Sequence, residues 1–231
     1  MDAIISQADA LFKEGKYQEC QDLLVDYLDK EKHPEIYWRL ARCCYMKVES
    51  QQEKPQKSEL KDAYTEVHDY AKAGFDIDPE NAKCLTWYGI GIDELANLEG
   101  QQEWIKRCPT QHYYWTKAAT IDPNDYVTET ALGIWCFTLA DMTKFRRRLS
   151  STLGPRPPSS SYEEALNHLL KSEELEPKGS VKNLLYIAKC YKGMGEKDKC
   201  IQFCKYVFDY RGLEYGAEEA KSEVRHLLYS L

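Results

Sequence analysis

Apolar residues recur at every third or fourth position through most of the chain, and this spacing is typical of amphipathic α-helices. Polar clusters that contain proline or glycine interrupt the pattern and indicate turns. The turns predict loops at about 50–57, 99–102, 150–160 and 210–214. The runs between them predict helices at about 2–14, 17–30, 34–49, 58–77, 81–98, 103–121, 125–149, 161–175, 180–194, 197–209 and 215–230.

Three helical runs end in similar sequences, "FDIDPEN" (75–81), "ATIDPND" (119–125) and "EELEPKG" (173–179). In each, an acidic residue and a proline close one helix, and a new helix follows. Proline cannot continue the helix before it but suits the first turn of the next. The similarity therefore indicates an internal repeat, which determines the architecture.

The first and last repeats have the spacing of small and large residues found in tetratricopeptide (TPR) helix–turn–helix units. The small residues let two helices approach closely, and the large ones fill the groove between them. The matching positions are Ala8, Leu11, Gly15, Tyr17, Cys20, Leu24 and Tyr27 in the first unit, and Ala188, Tyr191, Gly195, Cys200, Cys204 and Val207 in the last.

The middle units match the same pattern only if each contains an insertion between its two helices. Their landmark pairs, Ala41 with Val67, Gly89 with Gln111 and Gly133 with Ala165, are farther apart than in a standard unit. The final run, with Val224, Leu227 and Leu228 on one side, is typical of a helix that covers the last repeat. We therefore predict an all-α, TPR-like helical-hairpin solenoid with lengthened intra-repeat insertions and a C-terminal capping helix. It forms a single domain, 1–231, with units at about 1–33, 34–80, 81–124, 125–178 and 179–212 and the capping helix at about 215–230.

Composition excludes several classes of protein. The 231 residues carry a formal net charge of −7, which argues against nucleic acid as the main partner. No run of 18 apolar residues is present, and the N-terminus lacks the basic and apolar regions of a secretion signal, so we expect no membrane anchor. The odd number of cysteines, nine, and their spread through amphipathic runs are typical of buried, reduced thiols.

No catalytic, cofactor-binding or metal-binding constellation is evident, and we expect a protein that is not an enzyme. The five histidines lack zinc-site spacing, and Cys200 and Cys204, one helical turn apart, have no CxxC pair to support a metal. The glycines of "YGIGIDE" (88–94) lie within a helical run with no preceding strand, which argues against a phosphate loop.

TPR units bind partners mainly on the concave surface formed by the first helix of each pair. Projecting the repeat onto the sequence places a mixed set of aromatic, aliphatic and cationic side chains there: Trp38, Arg42, Tyr45, Ile90, Ile134, Phe137, Lys189 and Lys192. This set is the candidate groove for a protein partner. The alternative is that several of the aromatics only support neighbouring helices.

A basic stretch, "KFRRRLSSTLGPRPPSSSYEEA" (144–165), stands out in this acidic chain. Its cations, Lys144, Arg146, Arg147, Arg148 and Arg156, precede any acid, and "SYEE" (161–164) predicts a capping box that starts a new helix at Ser161. Arginines at a helix C-terminus also interact favourably with its dipole and last carbonyls, so a purely structural explanation stays open. Phosphorylation of Ser159–Ser161 would oppose contact with an acidic surface.

Residues 132–191 resemble the regulator of microtubule dynamics family. The resemblance depends on "LGIWCF" (132–137), the basic stretch, the Pro-Pro-Ser at 157–159 and "YEEAL" (162–166), and it extends more weakly over nearly the whole chain. It implies a TPR-like, non-enzymatic, cytoplasmic protein of the soluble branch that is associated with microtubules.

The resemblance also implies action at spindle microtubules and poles in chromosome segregation, with tubulin and other spindle or regulatory proteins as partners. Because tubulin is strongly acidic, we assign the five cations of the basic stretch to microtubule contact as a hypothesis. Two alternatives stay open, namely a lipid-binding or transfer module at organelle contacts, which some family members suggest, and an adaptor that binds a short peptide.

Overall fold

The computed structural model describes residues 1–142, 158–212 and 215–231, and all regular structure within these ranges is α-helical. The chain divides into two compact units, Met1–Ile121 and Asp122–Leu231. The helices of the first unit are α1 (Asp2–Lys13), α2 (Tyr17–Leu28), α3 (Pro34–Glu49), α4 (Lys57–Ile77), α5 (Ala82–Glu99) and α6 (Gln101–Ile121). Those of the second are α7 (Tyr126–Ala140), α8 (Tyr162–Leu175), α9 (Val181–Gly193), α10 (Lys197–Asp209) and α11 (Tyr215–Tyr229).

Side-chain caps start several of the predicted helices. The carboxamide oxygen of Asn81 accepts the Cys84 N–H at the start of α5. At the start of α8, the predicted capping box is confirmed, because Ser161 Oγ accepts the Glu164 N–H and Glu164 Oε2 accepts the Ser161 N–H, each at 3.1 Å. These caps satisfy backbone donors that have no partner within the helix, and so they fix where each helix begins.

The first and last predicted repeats share the same interhelical turn. Gly15 and Gly195 adopt positive φ angles of +75° and +79°, which a side chain would disfavour. The residue after each glycine then folds back onto the helix. The Lys16 N–H donates to the Leu11 carbonyl at 3.0 Å, and the Glu196 N–H donates to the Tyr191 carbonyl at 2.9 Å. This pattern is a Schellman-type helix ending, and it explains the glycine in both units.

The small landmark residues of the middle units lie where two helices meet. A methyl group on Gly133 of α7 would stand 2.5 Å from Leu169 Cγ and 3.2 Å from the Ala165 carbonyl oxygen of α8. On Gly89 of α5 it would stand 2.4 Å from the indole nitrogen of Trp115 in α6. The close approach of paired helices therefore requires glycine at these two positions.

The insertions predicted for the second and third repeats, which lie in the compact unit Met1–Ile121, are accommodated mainly as additional helical turns. Helices α3, α4, α5 and α6 contain 16, 21, 18 and 21 residues, whereas α1 and α2 contain 12 each and α9 and α10 contain 13 each. The loop predicted at 99–102 is wrong, because Gly100 alone separates α5 from α6, at a φ of +110°. One glycine outside the helical φ range is sufficient to end α5 and redirect the chain.

The helix predicted at 125–149 is too long. Helix α7 ends at Ala140, and Met142 turns into the protein, where it is 9% exposed. Asp141, which follows the helix, accepts a 2.9 Å hydrogen bond from the Tyr162 hydroxyl of α8, and this contact holds the chain at the end of α7.

Helix α11 covers the α9–α10 hairpin as predicted. Val224 and Leu227 are buried against Cys200, Cys204 and Val207, and Leu228 packs at the edge of the same cluster. The predicted capping role of the last helix is therefore confirmed.

None of the described helices is long and apolar enough to cross a lipid bilayer.

Candidate partner-binding surfaces

The cations assigned to microtubule contact, Lys144, Arg146, Arg147, Arg148 and Arg156, lie outside the described residues. Their contact with microtubules stays a prediction. The described chain stops at Met142 and resumes at Pro158, just before α8.

Arg42, a predicted groove residue of the first unit, is held by side chains of α1 and α3. Its guanidinium lies 3.7 Å from the ring centroid of Phe12 and 4.8 Å from that of Trp38. One terminal nitrogen donates to Asp9 at 2.8 Å. Trp38 itself is only 7% exposed. The structure therefore brings Trp38 and Arg42 together, and Arg42 joins α3 to α1 through Phe12 and Asp9.

A buried arginine extends this contact into an ionic network. Arg39 bonds Asp9 at 2.8 Å and Glu35 at 2.7 Å, and its side chain is 9% exposed. Glu35 also accepts the Trp38 indole N–H at 3.0 Å and the Asn81 amide of α5 at 3.1 Å. The network connects α1, α3 and α5 through charge-assisted hydrogen bonds.

The two carboxylates of this network have lowered pKa values. Burial alone would raise the pKa of Asp9, but hydrogen bonds and charges from Arg39 and Arg42 outweigh it. Burial likewise opposes the shift at Glu35, where Arg39, Trp38 and Asn81 hydrogen-bond the carboxylate and lower its pKa. Both groups are therefore ionised at neutral pH and neutralise the adjacent arginines.

Tyr45 joins α3 to its neighbours in the same way. Its ring stacks on Tyr64 of α4 at 6.0 Å and meets the edge of Trp87 of α5 at 5.6 Å, and its hydroxyl bonds Glu94 at 3.3 Å. In the first unit, Arg42 and Tyr45 thus contact neighbouring helices, and Ile90 is partly buried. Trp38 is buried and contacts Arg39 and Arg42 of its own helix. These contacts support the structural alternative for the aromatic residues.

The predicted groove residues of the second unit form a more open surface. Phe137 of α7 meets the edge of Tyr186 of α9 at 5.1 Å, and Lys189 Nζ lies 4.5 Å from the centroid of that tyrosine. Lys189 also forms a salt bridge with Glu223 of α11. Lys192, one turn farther on, hydrogen-bonds Ser230. Ile134 and Phe137 are partly exposed on the same helix, α7.

Sequence reasoning missed two residues of this surface, Lys182 and Tyr186. Both are partly exposed on α9. The signal was present in the chain, because 182, 186 and 189 follow the i, i+4, i+7 spacing of one helical face. The projected repeat register selected only Lys189 and Lys192 from this helix.

Nothing in the sequence pattern indicated a buried carboxylate at Glu129 of α7, whose side chain is 3% exposed. It contacts His168 and Lys171 of α8, each at 2.7 Å. Burial opposes ionisation, but the hydrogen bonds and charges of these two residues lower its pKa. His168 and Lys171 therefore fix the carboxylate within the α7–α8 interface.

The nine cysteines are buried and form no disulfide, as predicted. Burial raises the pKa of Cys84, Cys190 and Cys204 to about 12 in each case. Cys43 donates to Cys20, with 3.1 Å between the sulfurs, and this bond lowers the pKa of Cys20. No group of three or more potential metal ligands occurs among the described residues. The thiols act as small apolar side chains in the helix interfaces.

Comparisons with known proteins agree on one family and one fold. A sequence profile described as Regulator of microtubule dynamics protein 1-3 matches residues 4–231. Regulator of microtubule dynamics protein 1 from Mus musculus is 34% identical over 197 residues, 85% of this chain and 64% of the mouse protein. Regulator of microtubule dynamics protein 3 from Xenopus laevis is 29% identical over 200 residues, 85% of this chain and 42% of that protein. The alignments thus span less than two thirds of either relative.

Among solved structures, TTC0263, described as a thermophilic TPR protein in Thermus thermophilus, superposes with a TM-score of 0.62. The match covers 99% of this chain and 98% of the other at 13% sequence identity. A likeness at this identity establishes the fold alone, and it confirms the predicted all-α, TPR-like architecture.

Proposed function

The chain belongs to the regulator of microtubule dynamics family, and from this premise we propose that it is a non-enzymatic, microtubule-associated protein that acts through protein–protein contacts. The observation that carries the proposal is the family match across residues 4–231. The TPR-like helical hairpins support it, because such repeats present extended surfaces to other proteins.

The finer proposal places this activity in the cytoplasm, at spindle microtubules and poles, in spindle organisation and chromosome segregation. Direct contact with tubulin is assigned to Lys144, Arg146, Arg147, Arg148 and Arg156. A local basic stretch suits an acidic surface even in a chain of net charge −7, because charges separated by more than about 10 Å are largely screened at 0.1 M salt. We therefore expect weak, salt-sensitive binding.

Co-sedimentation with stabilised microtubules tests the proposal. The purified chain should pellet with microtubules in a saturable manner, and the bound fraction should fall as salt rises from about 0.05 to about 0.3 M because surface charges are screened. A chain that stays in the supernatant at the lowest salt would contradict direct microtubule binding.

Charge reversal tests the basic stretch. The Arg147→Glu/Arg148→Glu/Arg156→Glu variant should bind microtubules clearly more weakly than the parent chain. The matched control reverses three exposed lysines of the first unit, Lys30→Glu/Lys32→Glu/Lys54→Glu, and changes net charge equally. If both variants lose binding to the same extent, only overall charge matters and the assignment to the basic stretch is wrong.

A further inference from the structure

A charged and aromatic stripe runs along the solvent-facing side of α9. It consists of Lys182, Tyr186, Lys189 and Lys192, all partly exposed. At 100° per residue these positions fall within about a third of the helix circumference. We call this set the α9 stripe. Three positive side chains therefore project from one face of one short helix.

The local charge around the α9 stripe is opposite to that of the whole protein. Helix α9, Val181–Gly193, contains three lysines and no acidic residue. The hairpin from 178 to 212 contains eight Lys and Arg and three Asp and Glu, a difference of 8 − 3 = +5 in a chain of −7. The rest of the chain therefore carries −7 − 5 = −12. An acidic ligand would be attracted to this hairpin despite the negative charge of the whole chain.

The α9 stripe borders an aromatic surface. Tyr186 lies between Phe137, at 5.1 Å between ring centroids, and the ammonium group of Lys189, at 4.5 Å. Phe137 continues this surface to Tyr162, at 5.8 Å. The aromatic rings provide apolar contact area next to the charge of Lys189, and tyrosine and phenylalanine are enriched at protein-binding surfaces.

Two lysines of the α9 stripe have partners that an acidic ligand could replace. Lys189 pairs with Glu223; the two side chains are 22% and 44% exposed, so water screens this ion pair in part and its contribution to stability is modest. Lys192 bonds the neutral hydroxyl of Ser230, which leaves its positive charge uncompensated by that contact. A peptide carboxylate replaces such contacts at small cost, whereas the buried Arg39 network of the first unit would lose much more.

We propose that the α9 stripe binds an acidic peptide segment and, resting on the proposed function, that this segment is the glutamate-rich C-terminal tail of tubulin. Lys182, Lys189 and Lys192 contact the carboxylates, and Tyr186 and Phe137 contact the peptide backbone and apolar side chains. Charge complementarity sets the preference, since the hairpin carries a net positive charge within an acidic chain.

Fluorescence anisotropy with a labelled synthetic tubulin-tail peptide tests the proposal on the full chain. The Lys182→Glu/Lys192→Glu variant should bind the peptide about tenfold more weakly, because two surface charge contacts become repulsive. The matched control is Lys199→Glu/Lys205→Glu, which makes the same change in charge on the exposed side of the adjacent helix α10. It should retain nearly full affinity. Circular dichroism of each variant checks the fold, and the neutral Lys182→Gln/Lys192→Gln variant, with an intermediate loss, provides the check if the reversed variant does not fold.

The outcomes separate this inference from the proposed function. If the parent chain sediments with microtubules but binds the tail peptide no better than a scrambled neutral peptide, the assignment of peptide binding to the α9 stripe is wrong and the microtubule proposal stands. Equal losses in the α9 and α10 variants would also overturn it, because binding would then follow overall charge.

If the parent chain fails to sediment with microtubules, the proposed function and the choice of tubulin both fail. Specific binding to phosphatidylserine vesicles, with none to the peptide, would likewise contradict the acidic-peptide assignment.

Discussion

Arg39 shows how much of the first unit's stability depends on one side chain. It bridges Asp9 of α1 and Glu35 of α3 at 2.8 and 2.7 Å with only 9% of its side chain exposed. Replacing it in Arg39→Met keeps most of the aliphatic packing but leaves two carboxylates without their main partner. We expect the free energy of unfolding to fall by about 2–3 kcal/mol at pH 7, below the 3–5 kcal/mol of a fully buried pair because both carboxylates are one-third exposed. Urea denaturation measures this difference.

The control for Arg39 and its pH dependence make the prediction specific. Arg107→Met removes a partly exposed arginine, 34% exposed and paired with Glu99, and should cost less than about 1 kcal/mol. The folded pKa values of Asp9 and Glu35 are lowered, so their stabilising contribution is complete above their ordinary pKa values and is lost as pH falls through the lowered ones. The difference in the free energy of unfolding between the parent chain and Arg39→Met should therefore become smaller below about pH 4. A gap that stays constant into strong acid would contradict the ionic explanation.

The projected repeat could place Trp38, Arg42, Tyr45, Phe137 and Lys189 on the first helices of their hairpins, because helical spacing depends only on local sequence. It could not show that Arg42 lies between Phe12 and Trp38 and is bound to Asp9, since that contact joins residues 33 positions apart. Three-dimensional partners of this kind have no local signal in one sequence.

At the scale of the helix, glycine sets how closely α4 and α5 approach. A methyl group on Gly91 would lie 2.7 Å from the Cα and 2.8 Å from the backbone nitrogen of His68. Because backbone atoms cannot rotate away, Gly91→Ala should force the helices apart. We expect a loss of about 2 kcal/mol, even though alanine favours an isolated helix by about 1 kcal/mol over glycine.

Thermal or urea unfolding of Gly91→Ala measures this cost, with Asn97→Ala, on the exposed face of the same helix α5, as the control. The control should change stability by less than about 0.5 kcal/mol. A neutral or stabilising effect at Gly91 would show that the close approach to His68 does not limit the packing of α4 against α5.

Helix boundaries illustrate which signals are local. The start of α8 at Ser161 and the turn at Gly15 follow from side-chain caps and backbone freedom, and both could be predicted. The end of α7 could not, because the apolar spacing continues past Ala140 and the contact seen there, from the Tyr162 hydroxyl to Asp141, joins residues 21 positions apart. The single-residue turn at Gly100 was missed for the opposite reason, since polar residues on both sides, Glu99 before it and Gln101 after it, suggested a longer loop.

For the whole molecule, the repeat period was sufficient to predict the all-α, TPR-like fold, because each hairpin buries its apolar face against the next. The division into five units stays a prediction beside the two compact units, Met1–Ile121 and Asp122–Leu231. The surface chemistry was harder to predict. The basic hairpin at 178–212 was hidden by the more conspicuous arginines at 146–148, and its lysines are spread over two helices.

The reactivity of the cysteines reports on folding in both compact units. Five cysteines lie in the first unit and four in the second, and all nine are buried. Thiolates react with disulfide reagents, and burial both excludes the reagent and raises the pKa of Cys84, Cys190 and Cys204 to about 12. We therefore expect almost no rapid labelling by Ellman's reagent at pH 8 in the native protein and labelling of all nine thiols in guanidinium chloride. Ser222→Cys, at an exposed position of α11, should add one rapidly reacting thiol and serves as the positive control. Rapid native labelling at sites in one unit, mapped by mass spectrometry, would show that the hairpins of that unit open independently and would contradict the close packing described for them.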